Sequence, residues 1–370
     1  MSNLRAMGPA APLAEYRPER RLYVEGDALY QAMLSAIAGA RQRVCLETYI
    51  FAWDEVGQRF GAALMERARA GVRTHLLVDG FGSLGLLPRR AQAELAEAGV
   101  RVRRFHRWQW RDPWRYNRRD HRKLLVVDGR TMFLGGFNIH RQSSLAAYGP
   151  QRWRDTHLEM NGPAAAQAEL LFDAFWRYRR GRGAALRRLG SHLLVSNHNR
   201  RGRRALRRVI NGLVGSARHR AWISTPYFVP DRRLQTRLLA AARRGVDVRL
   251  LVPGKSDVAL ARWASHAAYA RLLEGGVRIF EYQPRVLHAK TMVMDGRRCW
   301  IGTANLDYRS LRHNYELTLR SSDRALAQSL EGQFETDLGE ALEVKHAAWS
   351  RRHGLHYLAE TIGWLARRWL

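Results

Sequence analysis

The sequence contains few cysteines and no long apolar run, and both absences limit the kinds of protein it can be. With only Cys45 and Cys299 in 370 residues, it has no disulfide framework. Each cysteine lies in an apolar, strand-like run, which is typical of a buried thiol in a reducing compartment. No run of about eighteen apolar residues occurs, so no transmembrane helix is expected. Residues 1–16 also lack the apolar core of a signal peptide.

Acidic residues are scarce as well. The chain has 33 Asp and Glu against 63 Lys and Arg, a formal net charge of +30. Although part of this excess can reflect an arginine-rich composition, it predicts a polyanionic partner, either nucleic acid or an anionic bilayer. No carboxylate cluster or His/Cys set has the spacing of metal ligands, so neither a metal nor a cofactor is expected. With 46% apolar residues, the chain is long enough to form two ordinary cores.

Lysine is the rarest basic residue, and its positions are informative. The four lysines are Lys123, Lys255, Lys290 and Lys345. Two of them occupy the same position of a motif, His-x-Lys-x4-Asp-x6-Gly-x-x-Asn, that occurs at residues 121–138 and again at 288–305. From composition, one chance match to His-x-Lys-x4-Asp has a probability on the order of one in a hundred. Two ordinary buried hairpins are therefore a poor explanation of the repeat.

Each copy of the motif predicts a strand, an Asp-Gly turn and a returning strand. Alternation along the first strand places His121 and Lys123 on one face, and the hairpin returns Asn138 to the level of His121. Asp128 lies at an odd offset from His121, so we expect it to face away and to form hydrogen bonds behind the site. The second copy supplies the equivalent His288, Lys290, Asn305 and Asp295. Each copy thus presents half of a site for a phosphodiester.

The repeat extends beyond the motif. The segment at 70–80 (AGVRTHLLVDG) is echoed at 244–254 (RGVDVRLLVPG), and 167 residues separate His121 from His288. Alternating helices and strands precede each motif, which predicts an α/β protein. We therefore expect two similar α/β/α domains, residues 1–190 and 191–370, related by a pseudo-twofold axis with the active site at their interface. An Arg/Gly-rich stretch near residues 177–208 is the expected connector.

The doubled motif resembles the defining motif of the phospholipase D superfamily. Further stretches are similar to the bacterial cardiolipin synthases within it: LETYIFAWDEVG (46–57), LLVDGFGS (76–83), WRDTHLEMNGPA (153–164), STPYFVPD (224–231) and NLDYRSLRHNYE (305–316). The resemblance spans residues 22–340 and implies two domains of the phospholipase D type. Many of these synthases carry N-terminal membrane spans, from which this sequence departs. We therefore expect a peripheral protein at the cytoplasmic face of the bacterial inner membrane.

Two histidines can divide the chemistry of phosphodiester transfer. One attacks phosphorus as a neutral imidazole, forming a phosphohistidine, and the other donates a proton to the leaving oxygen. Because an unperturbed histidine has a pKa near ~6.5, opposite protonation states are accessible near neutrality. The lysines and asparagines of the motifs supply donors to the phosphoryl oxygens. The resemblance implies that His121 is the nucleophile and His288 the general acid, whereas the sequence itself is symmetric.

Acidic residues that orient the histidines follow each motif. Asp155 and Glu316 lie on the next strand-like segments, 34 and 28 residues after His121 and His288. The resemblance implies that an acid so placed holds the far nitrogen of the histidine, although a surface salt bridge is an alternative. Polar residues near strand ends can hold a glycerol headgroup or simply support the fold: Glu47, Tyr49, Asp79, Thr225 and Tyr227.

The resemblance implies a cardiolipin synthase, which transfers a phosphatidyl group from phosphatidylglycerol or phosphatidylethanolamine to phosphatidylglycerol. Two enzymatic alternatives are a metal-independent phospholipase D and a nuclease, and a third is a basic membrane- or nucleic-acid-binding protein with a vestigial site.

Two features favour lipid over nucleic acid as the partner. Residues 104–120 form an insertion rich in Trp and Arg, which is either an interfacial loop or a soluble one. Near the C-terminus, Leu355, Leu358, Ile362, Leu365 and Trp369 recur with helical spacing, predicting an amphipathic helix that binds a membrane or docks on the core.

Overall fold

The chain forms a mixed α/β structure with two sheets, as the sequence predicts. The computed structural model describes residues 20–106, 117–177, 188–256, 258–352 and 354–367. Most of the insertion at 104–120 therefore lies outside the described residues, as does the centre of the predicted connector.

The first half builds a sheet of seven described strands with helices around it. Its strands are β1 (Arg20–Tyr23), β2 (Arg43–Thr48), β3 (Arg73–Asp79), β4 (Arg101–Phe105), β5 (Leu124–Val127), β6 (Thr131–Gly135) and β7 (His157–Asn161). Its helices are α1 (Gly26–Ala38), α2 (Glu55–Arg69), α3 (Arg89–Glu97), α4 (Leu145–Tyr148) and α5 (Pro163–Trp176), with a 3-10 turn at Arg141–Ser143. The strand order is β1-β7-β6-β5-β2-β3-β4.

The second half builds a sheet of nine described strands. They are β8 (Arg188–Leu189), β9 (His192–Ser196), β10 (Arg220–Ser224), β11 (Asp247–Pro253), β12 (Arg278–Tyr282), β13 (Thr291–Met294), β14 (Arg298–Gly302), β15 (Leu317–Ser321) and β16 (Ala341–Glu343). The helices are α6 (Arg200–Gly215), α7 (Arg232–Arg243), α8 (Ala259–Glu274), α9 (Tyr308–Arg312), α10 (Arg324–Gly339), α11 (His346–Ser350) and α12 (Gly354–Ala366). The strand order is β16-β12-β11-β10-β13-β14-β15-β9-β8.

Seven strands of the second sheet repeat the topology of the first, and β8 and β16 extend it at the two edges. In the first, β2, β3 and β4 run parallel and β5, β6 and β7 form an antiparallel meander. In the second, β10, β11 and β12 are parallel, and β13, β14 and β15 form the meander. Strands β1 and β9 occupy the same place beside the meanders. This repetition confirms the two similar domains that the motif and the surrounding echoes predict.

The predicted motif hairpins are β5–β6 and β13–β14. Asp128 and Gly129 have φ angles of 53° and 63°, and the equivalent Asp295 and Gly296 have 56° and 61°. Two consecutive positive φ angles are what a two-residue hairpin turn requires, and Asp-Gly adopts them at low cost. The Asp-Gly pair therefore fixes the register of each hairpin, and with it the position of the histidine that precedes the strand.

The two halves share a hydrophobic core. Leu158 and Met160 of β7 belong to the same buried cluster as Ile301 of β14 and Leu317 of β15. The domain division that the sequence suggests, after residue 190, falls within the β8–β9 hairpin, and both of these strands join the second sheet. We propose that the second domain begins before β8.

The predicted C-terminal helix is α12, which packs against α8. A Cβ atom at Gly363 would lie 2.4 Å from the backbone nitrogen of Ala264, so this glycine permits the close approach. On another face, Leu358, Ile362 and Leu365 have exposed fractions of 59%, 46% and 70%. The helix thus docks on the protein and still presents an apolar face. The side chains of Leu355 and Trp369 lie outside what the structure describes, and no described helix has the length and apolarity needed to cross a bilayer.

Candidate active site

The two motif histidines line a single cavity of about 300 Å³ between the halves. His121 precedes β5 and His288 precedes β13, so each lies where its hairpin meets the parallel strands. Asn138 and Asn305, which follow the returning strands, line the same cavity. Each motif copy is predicted to present a histidine, a lysine and an asparagine together. Of these three side chains, the histidine and the asparagine line the cavity.

Short bridges between the halves hold the histidines in place. The backbone nitrogen of His121 donates to the carbonyl of Tyr315 over 3.0 Å, and that of His288 donates to the carbonyl of Arg154 over 2.6 Å. The residue before each motif histidine thus pairs with the residue that precedes Glu316 or Asp155 in the opposite half. Arg154 is itself anchored, since its guanidinium donates to both carboxylate oxygens of Asp337 in α10 over 2.9 and 2.7 Å.

Because of this pairing, the histidine of each half is oriented by the acid of the other half. Nδ1 of His121 lies 3.1 Å from both carboxylate oxygens of Glu316. Nδ1 of His288 lies 2.5 Å from Oδ2 of Asp155. Both acids are fully buried, so the surface salt bridge considered as an alternative does not apply. The family resemblance pointed to these two acids, but the spacing along the chain gave no sign that each pairs with the histidine of the other copy.

The two histidine–acid pairs differ in charge. Burial alone would raise the pKa of Asp155, but Lys290 and His288 lower it below its ordinary value. Oδ2 of Asp155 lies 3.8 Å from Nζ of Lys290. By contrast, burial raises the pKa of Glu316 to about 8. Burial, together with Lys123 and Lys290, also lowers the pKa of His121 well below its ordinary value. Near neutral pH, the pair of His121 and Glu316 is therefore uncharged, while Asp155 is ionised beside His288.

The raised pKa of Glu316 predicts a pH-dependent stability. Between the ordinary value of 4.5 and about 8, the folded chain keeps a proton that the unfolded chain releases. Its contribution to the free energy of unfolding must then fall as pH rises through this range, by up to about 1.4 kcal/mol per pH unit. Glu316→Gln lacks that proton. We expect the Tm of the wild type, minus that of the variant, to decrease from pH 5.5 to 8.0; a constant difference would contradict the assignment.

The motif lysines lie beside the histidines but are more deeply buried. Nζ of Lys123 donates to the carbonyl of His121 over 2.8 Å, and Nζ of Lys290 donates to the carbonyl of His288. Burial, followed by repulsion from Lys290, lowers the pKa of Lys123 to about 7. The ring of Tyr49 contacts both His121 and Lys123, with 5.2 Å between the ring centres and 5.4 Å to Nζ.

The motif aspartates do not reach the cavity, which corrects their grouping with the catalytic residues. Asp128 accepts the backbone N–H groups of residues 41–43 over 2.7 to 2.9 Å. Asp295 does the same for residues 218–220 over 2.8 to 3.2 Å. Each carboxylate therefore fastens the motif turn to the start of the neighbouring parallel strand. This agrees with the interpretation that Asp128 forms hydrogen bonds behind the site.

Two of the five proposed substrate-binding residues, Tyr49 and Tyr227, line the cavity. The other three are buried and do not line it, which favours the alternative that they support the fold and corrects their grouping with the substrate-binding residues. Glu47 lies 3.3 Å from the buried guanidinium of Arg122. Asp79 accepts the backbone nitrogens of Phe81, Gly82 and Asp120, and Thr225 donates to the carbonyl of Tyr227. Of the five polar residues at strand ends, three thus support the fold around the site and two line the cavity.

Sequence reasoning missed several residues of the cavity wall. Trp153, Asp307, Arg309 and Asn314 all line it. A signal was present, because they lie in the stretches 153–164 and 305–316 that resemble the cardiolipin synthases. In the described part of the chain, no three His, Cys, Asp or Glu side chains are grouped in a way that could hold a metal ion.

Comparison with known proteins agrees with the geometry. A family model described as the phospholipase D-like domain of cardiolipin synthase matches residues 33–176 and 210–338. Cardiolipin synthase A of Pseudomonas aeruginosa is 35% identical over 339 residues, which cover 87% of this chain and 67% of the relative. Cardiolipin synthase 1 of Bacillus anthracis is 31% identical over 369 residues, covering 93% and 70%.

Among solved structures, phosphatidylserine synthase of Haemophilus influenzae Rd KW20 has a similar fold, with a TM-score of 0.70 and 16% sequence identity. The match covers 94% of this chain and 92% of that one. The doubled motif, the shared cavity and the extent of these matches lead to one assignment: this chain belongs to the cardiolipin synthase family of the phospholipase D superfamily.

Proposed function

We propose that this chain is a cardiolipin synthase that transfers a phosphatidyl group to phosphatidylglycerol through a phosphohistidine intermediate. The donor is phosphatidylglycerol or phosphatidylethanolamine. The observation that carries the proposal is the pair of buried histidines on one cavity, each with a buried acid from the opposite half. Relatives named cardiolipin synthase support the choice of lipid over other phosphodiesters.

The first step uses the difference between the histidine–acid pairs. His121, whose pKa is lowered, is neutral and attacks phosphorus while Glu316 accepts its Nδ1 proton in a hydrogen bond. His288, held by ionised Asp155, donates its proton to the leaving alkoxide. In the second step, neutral His288 takes the proton of the attacking alcohol as the phosphorus–nitrogen bond to His121 breaks. This electrostatic difference supports His121 as the nucleophile.

Charge on the phosphoryl oxygens is met by the motif lysines and asparagines. Lys123 and Lys290 are buried beside the histidines, where a positive charge is screened little by water. The amides of Asn138 and Asn305 line the cavity and add neutral donors. These four side chains stabilise the developing charge, so we expect the reaction to proceed in the presence of excess EDTA.

We further propose that the enzyme is peripheral and binds the cytoplasmic face of the bacterial inner membrane through α12 and α8. Val258, which immediately precedes α8, and Ala261 of α8 line the cavity, and α12 docks on this helix. Trp263 and the exposed leucine and isoleucine side chains of α12 extend this apolar surface. A lipid headgroup can then enter the cavity while its acyl chains remain in the bilayer. The net charge of +30 attracts anionic lipid to the surface.

Binding to vesicles tests this surface. Leu358→Ser combined with Ile362→Ser should lower the affinity for phosphatidylglycerol-containing vesicles roughly tenfold or more, because two apolar side chains no longer enter the bilayer. Raising the salt concentration should weaken binding further, with about 1 kcal/mol for each basic residue engaged. Leu342→Ser is a matched control, since Leu342 is 65% exposed but lies on β16. Equal losses in the control and the α12 variant would contradict the assignment.

The activity itself is tested by incubating the purified protein with labelled phosphatidylglycerol, with and without phosphatidylethanolamine, in EDTA. Products are resolved by mass, and DNA cleavage is measured in parallel. Cardiolipin is the expected product. Phosphatidic acid alone would identify a phospholipase D, and DNA cleavage without a lipid product would identify a nuclease. If the protein converts neither the lipid nor DNA, the remaining alternative is a binding protein without catalytic activity.

A further inference from the structure

The wall of the cavity is asymmetric, although the motifs on either side of it are repeated. In the second half, the wall carries Asp307, Arg309 and Asn314. At the corresponding positions of the first half, the chain has His140, Gln142 and Trp153, of which only Trp153 lines the cavity. Equivalent bridges fix this correspondence: those from residue 51 to 139 and from 228 to 306 for the first two positions, and those from 154 to 287 and from 120 to 315 for the third. At these three positions, the first half therefore contributes one aromatic ring to the cavity, while the second contributes a carboxylate, a guanidinium and an amide.

Two residues on the polar side of the cavity, Asn305 and Asn314, carry buried amide oxygens without a partner among the described residues. Both oxygens are Oδ1 atoms, and the side chains are only 3% and 6% exposed. Asn314 is held firmly, because its carbonyl accepts a hydrogen bond from the buried amide of Asn197 over 2.8 Å. A buried acceptor without a donor is unfavourable, so these atoms point to a ligand that brings hydroxyl groups.

A carboxylate and a guanidinium complete the polar wall. Asp307 is 4% exposed, and Oδ1 accepts the backbone nitrogen of Ser310 over 2.6 Å. The guanidinium of Arg309 donates to the side chain and the carbonyl of Asn117 over 3.0 and 2.7 Å, which fixes its position at the end of the inserted segment. A fixed guanidinium suits a phosphate group, and carboxylate and amide oxygens suit hydroxyl groups.

We propose that Asp307, Arg309 and Asn314 form the acceptor subsite, which binds a vicinal diol and the phosphate of the same lipid. The proposal rests on the proposed function. One hydroxyl of the diol gives its proton to His288 and forms the new bond to phosphorus, while the bond from phosphorus to His121 breaks. The other hydroxyl shares its single proton between Oδ1 of Asn314 and the carboxylate of Asp307, and Arg309 pairs with the acceptor phosphate. The subsite therefore favours a glycerol headgroup over water in the second step.

The ratio of products tests this division of labour. With phosphatidylglycerol vesicles, Asn314→Leu and Arg309→Gln should lower the ratio of cardiolipin to phosphatidic acid about tenfold or more, because a site that hydrogen-bonds a hydroxyl discriminates strongly. The burst of nitrophenolate from phosphatidyl-p-nitrophenol should fall by less than about threefold, since this leaving group carries no diol for the subsite to bind. Gln142→Leu, at the position matching Arg309, is the control and should leave the ratio unchanged.

A competition between soluble alcohols provides a second measurement. Wild type should prefer glycerol to 1-propanol as the phosphatidyl acceptor, and Asn314→Leu should lose most of that preference. This ratio is taken within one sample, so it does not depend on the folded fraction. An unchanged product ratio and an unchanged preference in the variants would overturn the proposal. If wild type forms neither cardiolipin nor phosphatidic acid, the proposed function itself fails.

Discussion

His121→Ala is expected to lower phosphatidyl transfer by about three orders of magnitude or more, because the attacking atom itself is removed. The same loss is expected for His288→Ala with a natural lipid, whose alkoxide leaves poorly without a proton. Loss in both variants would show that the two halves serve one site. Activity close to wild type in either variant would refute a shared site.

A substrate with a good leaving group separates the roles of the two histidines. With phosphatidyl-p-nitrophenol, the leaving group needs no proton, so His288→Ala should still release one equivalent of nitrophenolate in a burst. His121→Ala should give no burst, because no phosphohistidine can form. A burst in His121→Ala and none in His288→Ala would reverse the assignment.

Protein trapped with a phosphorus-labelled donor in the His288→Ala variant should carry the label on His121 through a phosphorus–nitrogen bond that is labile in acid and stable in base. His346→Ala is a suitable control, since His346 is exposed on α11 and takes no part in the site. It should retain the wild-type rate and the wild-type burst.

The second large effect is expected at Asp155. Asp155→Asn should lower the rate by about two to four orders of magnitude, because the amide no longer stabilises a protonated His288 or fixes its orientation. It also leaves Lys290 buried without its ionised partner, 3.8 Å away. We therefore expect a lower Tm as well, corresponding to a loss of about 3–5 kcal/mol in the free energy of unfolding.

Glu316→Gln should behave differently, although Glu316 holds the equivalent position. With a pKa of about 8, Glu316 is already uncharged near neutral pH, and glutamine preserves its shape and its acceptor for Nδ1 of His121. We expect a rate within about tenfold of wild type at pH 7. The comparison is made from the pH–rate profiles of both variants. Equal losses in the two would contradict the electrostatic difference between the histidine–acid pairs.

Local patterns in the sequence were sufficient for the hairpins and for the repeat. Alternation and the Asp-Gly pair fix β5–β6 and β13–β14, because a two-residue turn sets the register on its own. Those same patterns could not determine which polar side chains face the cavity. Glu47 and Tyr49 are two residues apart near the end of β2, yet Glu47 is buried against Arg122 and only Tyr49 reaches the cavity.

The sequence by itself determined that two copies of a histidine, lysine and asparagine hairpin are built into two α/β domains, because these features depend on spacing within short segments. Only the tertiary structure decided that Glu316 serves His121 and Asp155 serves His288. It alone also revealed the polar wall around Asn314. These contacts join residues more than a hundred positions apart, and they depend on how the halves pack on their shared core, which no local pattern encodes.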